Sequence, residues 1–551
     1  MDNPIKKLFL VLKEEKKDIS SIYFYAIFSG LLQLSVPVGV QAIIGFVLGA
    51  NMVVSIYVLI FLVVSAVLVV GIMQINQMKI IEKIQQSIFV KYAFDFAEVI
   101  PRMNLKSIDN VYLPEKVNRF FDCLNLQKGI SKLLLDIPTA SIQILFGLIL
   151  LSLYHPIFIL FGSVLLIILY VILKFTSKQG LITSLMESKN KYKVVSWLEE
   201  MARVIKSFKF TMGSNLNLIK TDEYVTKYLE TRTKHFNVLV FQYRSLVVFK
   251  VAITFAMLFV GAYLLVEQKI NIGEFIAAEI VILTVIGAVE KFINSLDSVY
   301  DVLTGIEKLS TVVDSELEHD GNIEFNTQNK GVLVEFQSVG FQYQPEQFAL
   351  KNINFSINSG TINIISGEDG SGKSSVLKLL TGNYSDFTGN ILFNHLPINN
   401  FNLQSLRSSI GTYNNDQDIF EGTIFENISM YRKNVTEEGI VKLANELGMG
   451  LIFNQMPFGF NTKLDPNGKK LSSILSKKIL LLRALCHSPN LLLLEDSWLL
   501  LDETTKQKIY KHLNSIKQTT TIVIASNNKD LLDLADQVIH LNQGEIKKVK
   551  P

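Results

Sequence analysis

The sequence predicts two joined folds, an all-α membrane domain of six spanning helices followed by an α/β domain with a helical subdomain. Three observations carry that prediction. No Asp, Glu, Lys or Arg occurs from Ile19 to Met78, or again from Ile137 to Leu173. The stretch Gly367-Glu368-Asp369-Gly370-Ser371-Gly372-Lys373-Ser374 follows an apolar run, Ile362 to Ile365, and leads into a helical one, Val376 to Leu380. Between the halves, the polar residues 314–330 separate long apolar runs from a pattern of short strands and helices.

Composition agrees. A chain of 551 residues is too long for one core, so two or more domains are expected. Hydrophobic residues make up 49%, charged residues only 19%, and the mean hydropathy is +0.31, which is the membrane class. A net charge of +3 gives no reason to expect a nucleic-acid partner. Cys123 and Cys486 are the only cysteines and lie far apart, so neither a disulfide framework nor a zinc site is indicated. The apolar stretch behind the charged N-terminus is too long for a signal-peptide core and lacks a cleavage site.

Taken in order, residues 1–18 alternate Lys6, Lys7, Lys13, Lys16 and Lys17 with Leu8, Phe9, Val11 and Leu12, the pattern of an amphipathic helix lying on a membrane surface. A membrane domain is then expected over 19–313. Its spans, each needing about 20 residues, fall near 20–45, 53–76, 137–154, 157–175, 246–266 and 273–292. Gly49-Ala50-Asn51 and His155-Pro156 break the first two pairs, and the last pair carries Lys250 and Glu279. The short outer loops hold a single Lys, Lys269, whereas 79–136 and 174–245 are rich in Lys and Arg. Positive residues stay inside, so both termini and both long segments are expected in the cytoplasm. Glu279 admits two readings. It marks a substrate pathway, or it lies close enough to the outer interface for water to relieve its charge. His155 reads as a turn residue.

In the second half the chemistry is that of a phosphate loop, G-x-x-x-x-G-K-[ST], which makes this an α/β P-loop NTPase domain, expected over 331–551 after a linker at 314–330. Gly367, Gly370 and Gly372 let backbone N–H groups of the loop, Ser371 included, wrap phosphates. Lys373 reaches the β/γ oxygens, Ser374 can ligate Mg²⁺, and Ser375 continues the loop into the helix.

Taken together, these features resemble an ABC exporter half-transporter, and within that family the transporters of type I protein and peptide secretion. The resemblance rests on Leu350-Lys351-Asn352-Ile353 before the loop, Phe341-x-Tyr343, and Gly422-Thr423-Ile424-Phe425-Glu426-Asn427-Ile428. It continues in Met456-Pro457-x-Gly459-Phe460-x-Thr462, Arg483-Ala484-Leu485, Pro489 and Leu491 to Leu494. It implies ATP and Mg²⁺ as ligands, Tyr343 stacking on adenine, an inner-membrane location and a second half-transporter as partner. A periplasmic adaptor is a further partner it suggests, beside membrane lipid.

The sequence also departs from that family's pattern. The Mg²⁺-associated glutamine falls on Asn415, and the LSGGQ signature on Leu471-Ser472-Ser473-Ile474-Leu475. The carboxylate pair ending the second strand is inverted to Glu495-Asp496, with Glu495 left to reach Mg²⁺ through water. The phosphate-sensing histidine is Ser526, while Asp502 keeps the inter-subunit loop aspartate. Positioning and charge dominate phosphoryl transfer, so these changes are expected to impair hydrolysis while binding persists. The expectation is therefore the non-catalytic or slow half of a heterodimer. A homodimeric pump with residual ATPase activity and an ATP-sensing scaffold that moves no substrate are the alternatives.

Overall fold

The computed structural model describes residues 4–49, 53–109, 112–211, 213–326, 331–344, 347–451 and 456–550. The chain divides into two compact units, Met1–Pro101 with Val111–Ser315, and Arg102–Asn110 with Glu316–Pro551. The expected break at Ala50-Asn51 and the linker residues 327–330 lie outside the described residues.

The first unit is helical throughout: α1 (Pro4–Glu14), α2 (Lys16–Gln33), α3 (Ser35–Leu48) and α4 (Val53–Val99), then, past the short α5 (Leu105–Ile108) of the second unit, α6 (Leu113–Asn118), α7 (Asp122–Tyr154), α8 (Ile157–Arg203), α9 (Ile205–Phe210), α10 (Leu216–Val266) and α11 (Ile272–Val313). Six stretches are long and apolar enough to cross a membrane, with α2 and α3 counted as one. Those two helices meet at Leu34, three residues before Pro37, whose ring cannot accommodate an unbroken helical turn behind it. The other spans do not stop where charge begins. With 47 residues, α4 extends about 70 Å against about 30 Å of hydrocarbon, because Lys and Glu are good helix formers once in water.

Among lipid tails, apolar burial gains little and close backbone approach matters more. The α7–α11 contact shows this: a Cβ on Gly147 would come within 2.5 Å of Val285 Cγ2, and Ala277, Ala278 and Ala288 are buried along α11. Most of α4 and the outer faces of α10, by contrast, leave large apolar side chains such as Phe61, Val248 and Phe255 exposed. At the N-terminus, Lys7 of α1 pairs with Asp314 at 2.7 Å. Glu279 is half-buried on α11 with no hydrogen-bond or ionic partner among the described residues. His155 closes α7, its Nδ1 accepting the Ile157 N–H at 3.3 Å, a local capping role.

The second unit is built on two sheets. The antiparallel one comprises β1 (Val334–Gln344), β2 (Gln347–Ile357), β4 (Thr388–Phe393) and β5 (Leu396–Pro397) in the order β2-β1-β4-β5. The larger one holds β3 (Ile362–Gly367), β6 (Ile410–Tyr413), β9 (Leu491–Glu495), β10 (Thr521–Ala525), β11 (Gln537–Asn542) and β12 (Glu545–Lys550) in the order β12-β11-β3-β10-β9-β6. A short ribbon pairs β7 (Gly422–Thr423) with β8 (Lys463–Leu464). The central strands β3, β9 and β10 run parallel and are buried along their whole length, in keeping with their largely Ile, Leu and Val content, and the buried Asn363 of β3 donates its amide to Thr361. Around them lie α12 (Lys373–Leu380), α13 (Leu403–Ser408), α14 (Ile424–Ser429), α15 (Glu437–Glu446), α16 (Ser473–Leu485), α17 (Glu503–Ile516) and α18 (Lys529–Leu534). The carboxyl ends of β3, β9 and β10 therefore open side by side, where ligands bind in parallel sheets.

Candidate nucleotide-binding site

The loop from β3 to α12 bends in ways that side chains would obstruct. Gly367 (φ +152°) and Gly372 (φ +103°) adopt backbone conformations that L side chains rarely take. A Cβ would sit 2.2 Å from Leu541 O at the first and 2.7 Å from Ala349 O at the second, so the glycines are required by space as well as by φ. Ser371 is buried with its Oγ unpartnered, a donor awaiting an acceptor in the loop. Lys373 Nζ donates to the carbonyls of Gly367 at 2.6 Å and Glu368 at 2.9 Å, which holds the ammonium over the loop. These features fit a bound polyphosphate.

The cleft at this loop measures about 440 Å³ and brings together Tyr343, Gly370 to Ser375, Asn415, Glu495 and Asp496. That size lies in the usual small-molecule range of about 300–1,000 Å³. A larger cavity of about 980 Å³ in the first unit, between Gln41 and Glu274, holds none of the predicted residues. The loop chemistry therefore makes the smaller one the site. Tyr343 donates its hydroxyl to Ser375 Oγ at 3.2 Å, which fixes the ring at the cleft wall.

At the end of β9 the two carboxylates have different surroundings. Glu495 is buried and accepts the Asn415 backbone N–H at 2.7 Å. Asp496 Oδ2 accepts the Ser526 hydroxyl at 3.0 Å, and Ser526 Oγ in turn accepts the Asn528 N–H at 3.1 Å. Ser526 is fully buried behind Asp496 and does not line the cleft.

The remaining predicted residues lie away from it. Among Leu471 to Leu475, Ser472 caps α16 by accepting the Leu475 N–H at 3.2 Å, Ile474 is exposed, and Leu475 packs against the core. Asp502 is the N-cap of α17. It accepts the Thr504 hydroxyl at 2.5 Å, the Thr505 N–H at 2.9 Å and the Thr505 hydroxyl at 2.8 Å, bonds that hold its carboxyl far below the usual carboxylate range.

Sequence reasoning passed over Asn527. Its amide brackets Gly367, accepting from the Gly367 N–H at 2.9 Å and donating to the Gly367 carbonyl at 2.7 Å. The only hint was its place beside Ser526 at the end of β10. Gln347 and Phe348, which also line the cleft, gave no signal at all.

Fold and site together are those of a helical unit with six membrane-capable stretches joined to an α/β phosphate-loop unit. Residues 350–506 match the ABC transporter family model, and that stretch includes the phosphate loop and both carboxylates of the cleft. Among curated relatives, an uncharacterized ABC transporter ATP-binding protein of Bacillus subtilis, YknU, is 30% identical over 53% of this chain and 50% of its own length. A probable multidrug resistance ABC transporter ATP-binding/permease protein of the same organism, YheH, is 31% identical over 47% of this chain and 41% of its own. The matched region thus spans about half the length of these relatives or less. In fold, the chain is similar to a bacterial Atm1-family ABC exporter solved with ATP bound, with a TM-score of 0.83, 16% identity, and 97% and 95% of the two chains covered.

Proposed function

We propose that this chain is a half-transporter of the inner membrane that binds ATP firmly, hydrolyses it slowly, and works as the slow member of a heterodimer. The observation that carries the reading is the Asp496–Ser526 pair. The carboxylate placed to polarise an attacking water is one methylene short of a glutamate, and its neighbour is a hydroxyl in place of a ring that could reach a terminal phosphate. Bound in the cleft, Mg-ATP would supply the binding energy for closure of two nucleotide domains. Ser374, Asn415 and Glu495 are the residues to hold the metal, and Tyr343 the ring to hold the base.

The degenerate signature supports the same reading. Ile474, exposed at the start of α16, presents a branched side chain where a close approach to a phosphate on the facing subunit needs glycine. A homodimer would carry this fault at both sites. Paired with an intact half, the chain would leave one good set of catalytic groups in the complex. Closure would reach the spans through the long cytoplasmic extensions and the loops joining spans two to three and four to five, as alternating access. The termini would be cytoplasmic, and α1 would lie on the membrane surface. The sequence resemblance to secretion transporters supports cargo of the peptide or protein class passed to a periplasmic adaptor, with lipid or drug export as the other readings.

The test is steady-state ATPase activity of the purified chain alone and with any half-transporter encoded beside it. Slow turnover alone and brisk turnover together is the expected result. Brisk turnover by the lone chain, abolished by Lys373→Ala, overturns it.

A further inference from the structure

The wall of the cleft that faces the base is built differently from the wall that faces the phosphates. Phe341, Tyr343 and Tyr384 form a closed triangle of rings, with centroid separations of 4.8 Å, 5.2 Å and 5.5 Å. Tyr384 meets Tyr343 edge-on at 86°, and both Phe341 and Tyr384 are buried. Rings packed edge to face at these separations are coupled, so a displacement of Tyr343 toward the triangle bears on Tyr384. The Tyr384 hydroxyl donates to both carboxylate oxygens of Asp109, at 3.4 Å each. Asp109 ends α5, the one piece of the loop between α4 and α7 that belongs to the second unit. That segment is anchored on its other side as well. Lys106 pairs with Asp386 at 3.0 Å, Asn104 N–H donates to Glu316 O at 2.9 Å, and Met103 bridges Leu317. Among the described residues, the phosphate loop touches this chain of contacts at one point, the Tyr343 hydroxyl on Ser375 Oγ at 3.2 Å, so a phosphate-borne signal would have to enter through the same ring.

We propose that Tyr384 and Asp109 are positioning residues that report occupancy by the base, rather than by the phosphates, to the segment around α5. The inference rests on the reading of the cleft as a nucleotide site with Tyr343 on the base. It gives a slowly hydrolysing site a signal that needs no cleavage. Tyr343 shifts when a ring stacks on it, the Tyr384 edge follows, and the bond to Asp109 tightens or slackens with it.

The test is hydrogen–deuterium exchange of the full-length chain in lipid nanodiscs, followed in peptides covering 104–109. The probes are ATP, AMP and inorganic tripolyphosphate at saturation, with binding of each measured by calorimetry in the same preparation. ATP and AMP are expected to change exchange there by about two- to tenfold, the range one net hydrogen bond supplies, and tripolyphosphate to leave it unchanged. Tyr384→Phe, which removes only the hydroxyl, and Asp109→Asn should each abolish the change while ATP affinity stays within about twofold. Equal responses to tripolyphosphate and ATP, or a response that survives both substitutions, overturn the proposal. ATP uptake without any change at 104–109 overturns it alone, whereas no ATP uptake overturns the nucleotide reading with it.

Discussion

Ser526 Oγ donates to Asp496 Oδ2 over 3.0 Å, behind the cleft and out of contact with it. The last carboxylate of the β9 end is thereby held by a neutral hydroxyl that has no reach of its own. On the function proposed above, this short acid and short donor are the pair that would orient water and sense a terminal phosphate poorly.

Restoring length at both positions should restore rate. Asp496→Glu combined with Ser526→His is expected to raise the ATPase rate of the purified chain by about tenfold or more, since single charge-stabilising groups are each worth about 10²–10³. Initial-rate phosphate release measures it, and a flat response shows that the limit lies elsewhere.

Binding should depend on Lys373. Its ammonium is already pre-positioned by the carbonyls of Gly367 and Glu368. Lys373→Ala should weaken ATP binding by about 1.5–3 kcal/mol, the worth of a charged hydrogen bond. Titration calorimetry of the full-length chain reads this directly.

Arg407 ties the second unit's entry to the loop after α12. It grips Glu318 at 2.7 Å and 2.8 Å and donates to Thr381 O, Gly382 O and Asn383 Oδ1. Arg407→Ala leaves these acceptors without their donor and should cost about 2 kcal/mol. A fall in the thermal midpoint, with Arg407→Lys only partly rescuing it, is the expected pattern, because Lys cannot make the bidentate contact.

Acid should weaken the second unit through His487. Burial, with Arg432 adjacent at 2.8 Å, pushes its imidazole down to about 4 from an ordinary 6.5. The folded form therefore stays neutral while the unfolded chain takes up a proton. This contribution is complete above about pH 6.5 and fades as pH falls toward about 4, on the order of 1–3 kcal/mol. Thermal midpoints between those pH values should slope upward with pH, and His487→Gln should flatten the slope.

Some of this protein is written locally in its chain. Charge-free runs force membrane spans because no water is there to solvate a charge. Gly367 and Gly372 announce the phosphate loop because the bend is a property of the backbone itself. The helix ends beyond the bilayer were less legible, since Lys and Glu forbid lipid but not helix, and α4 runs on to Val99. Other features exist only once distant segments meet. Asn527 brackets Gly367 across 160 residues, and Tyr384 reaches Asp109 across 275. No local propensity encodes such pairs, because a hydrogen bond between remote side chains depends on where the packed sheet and its loops bring them, and packing is a property of the whole.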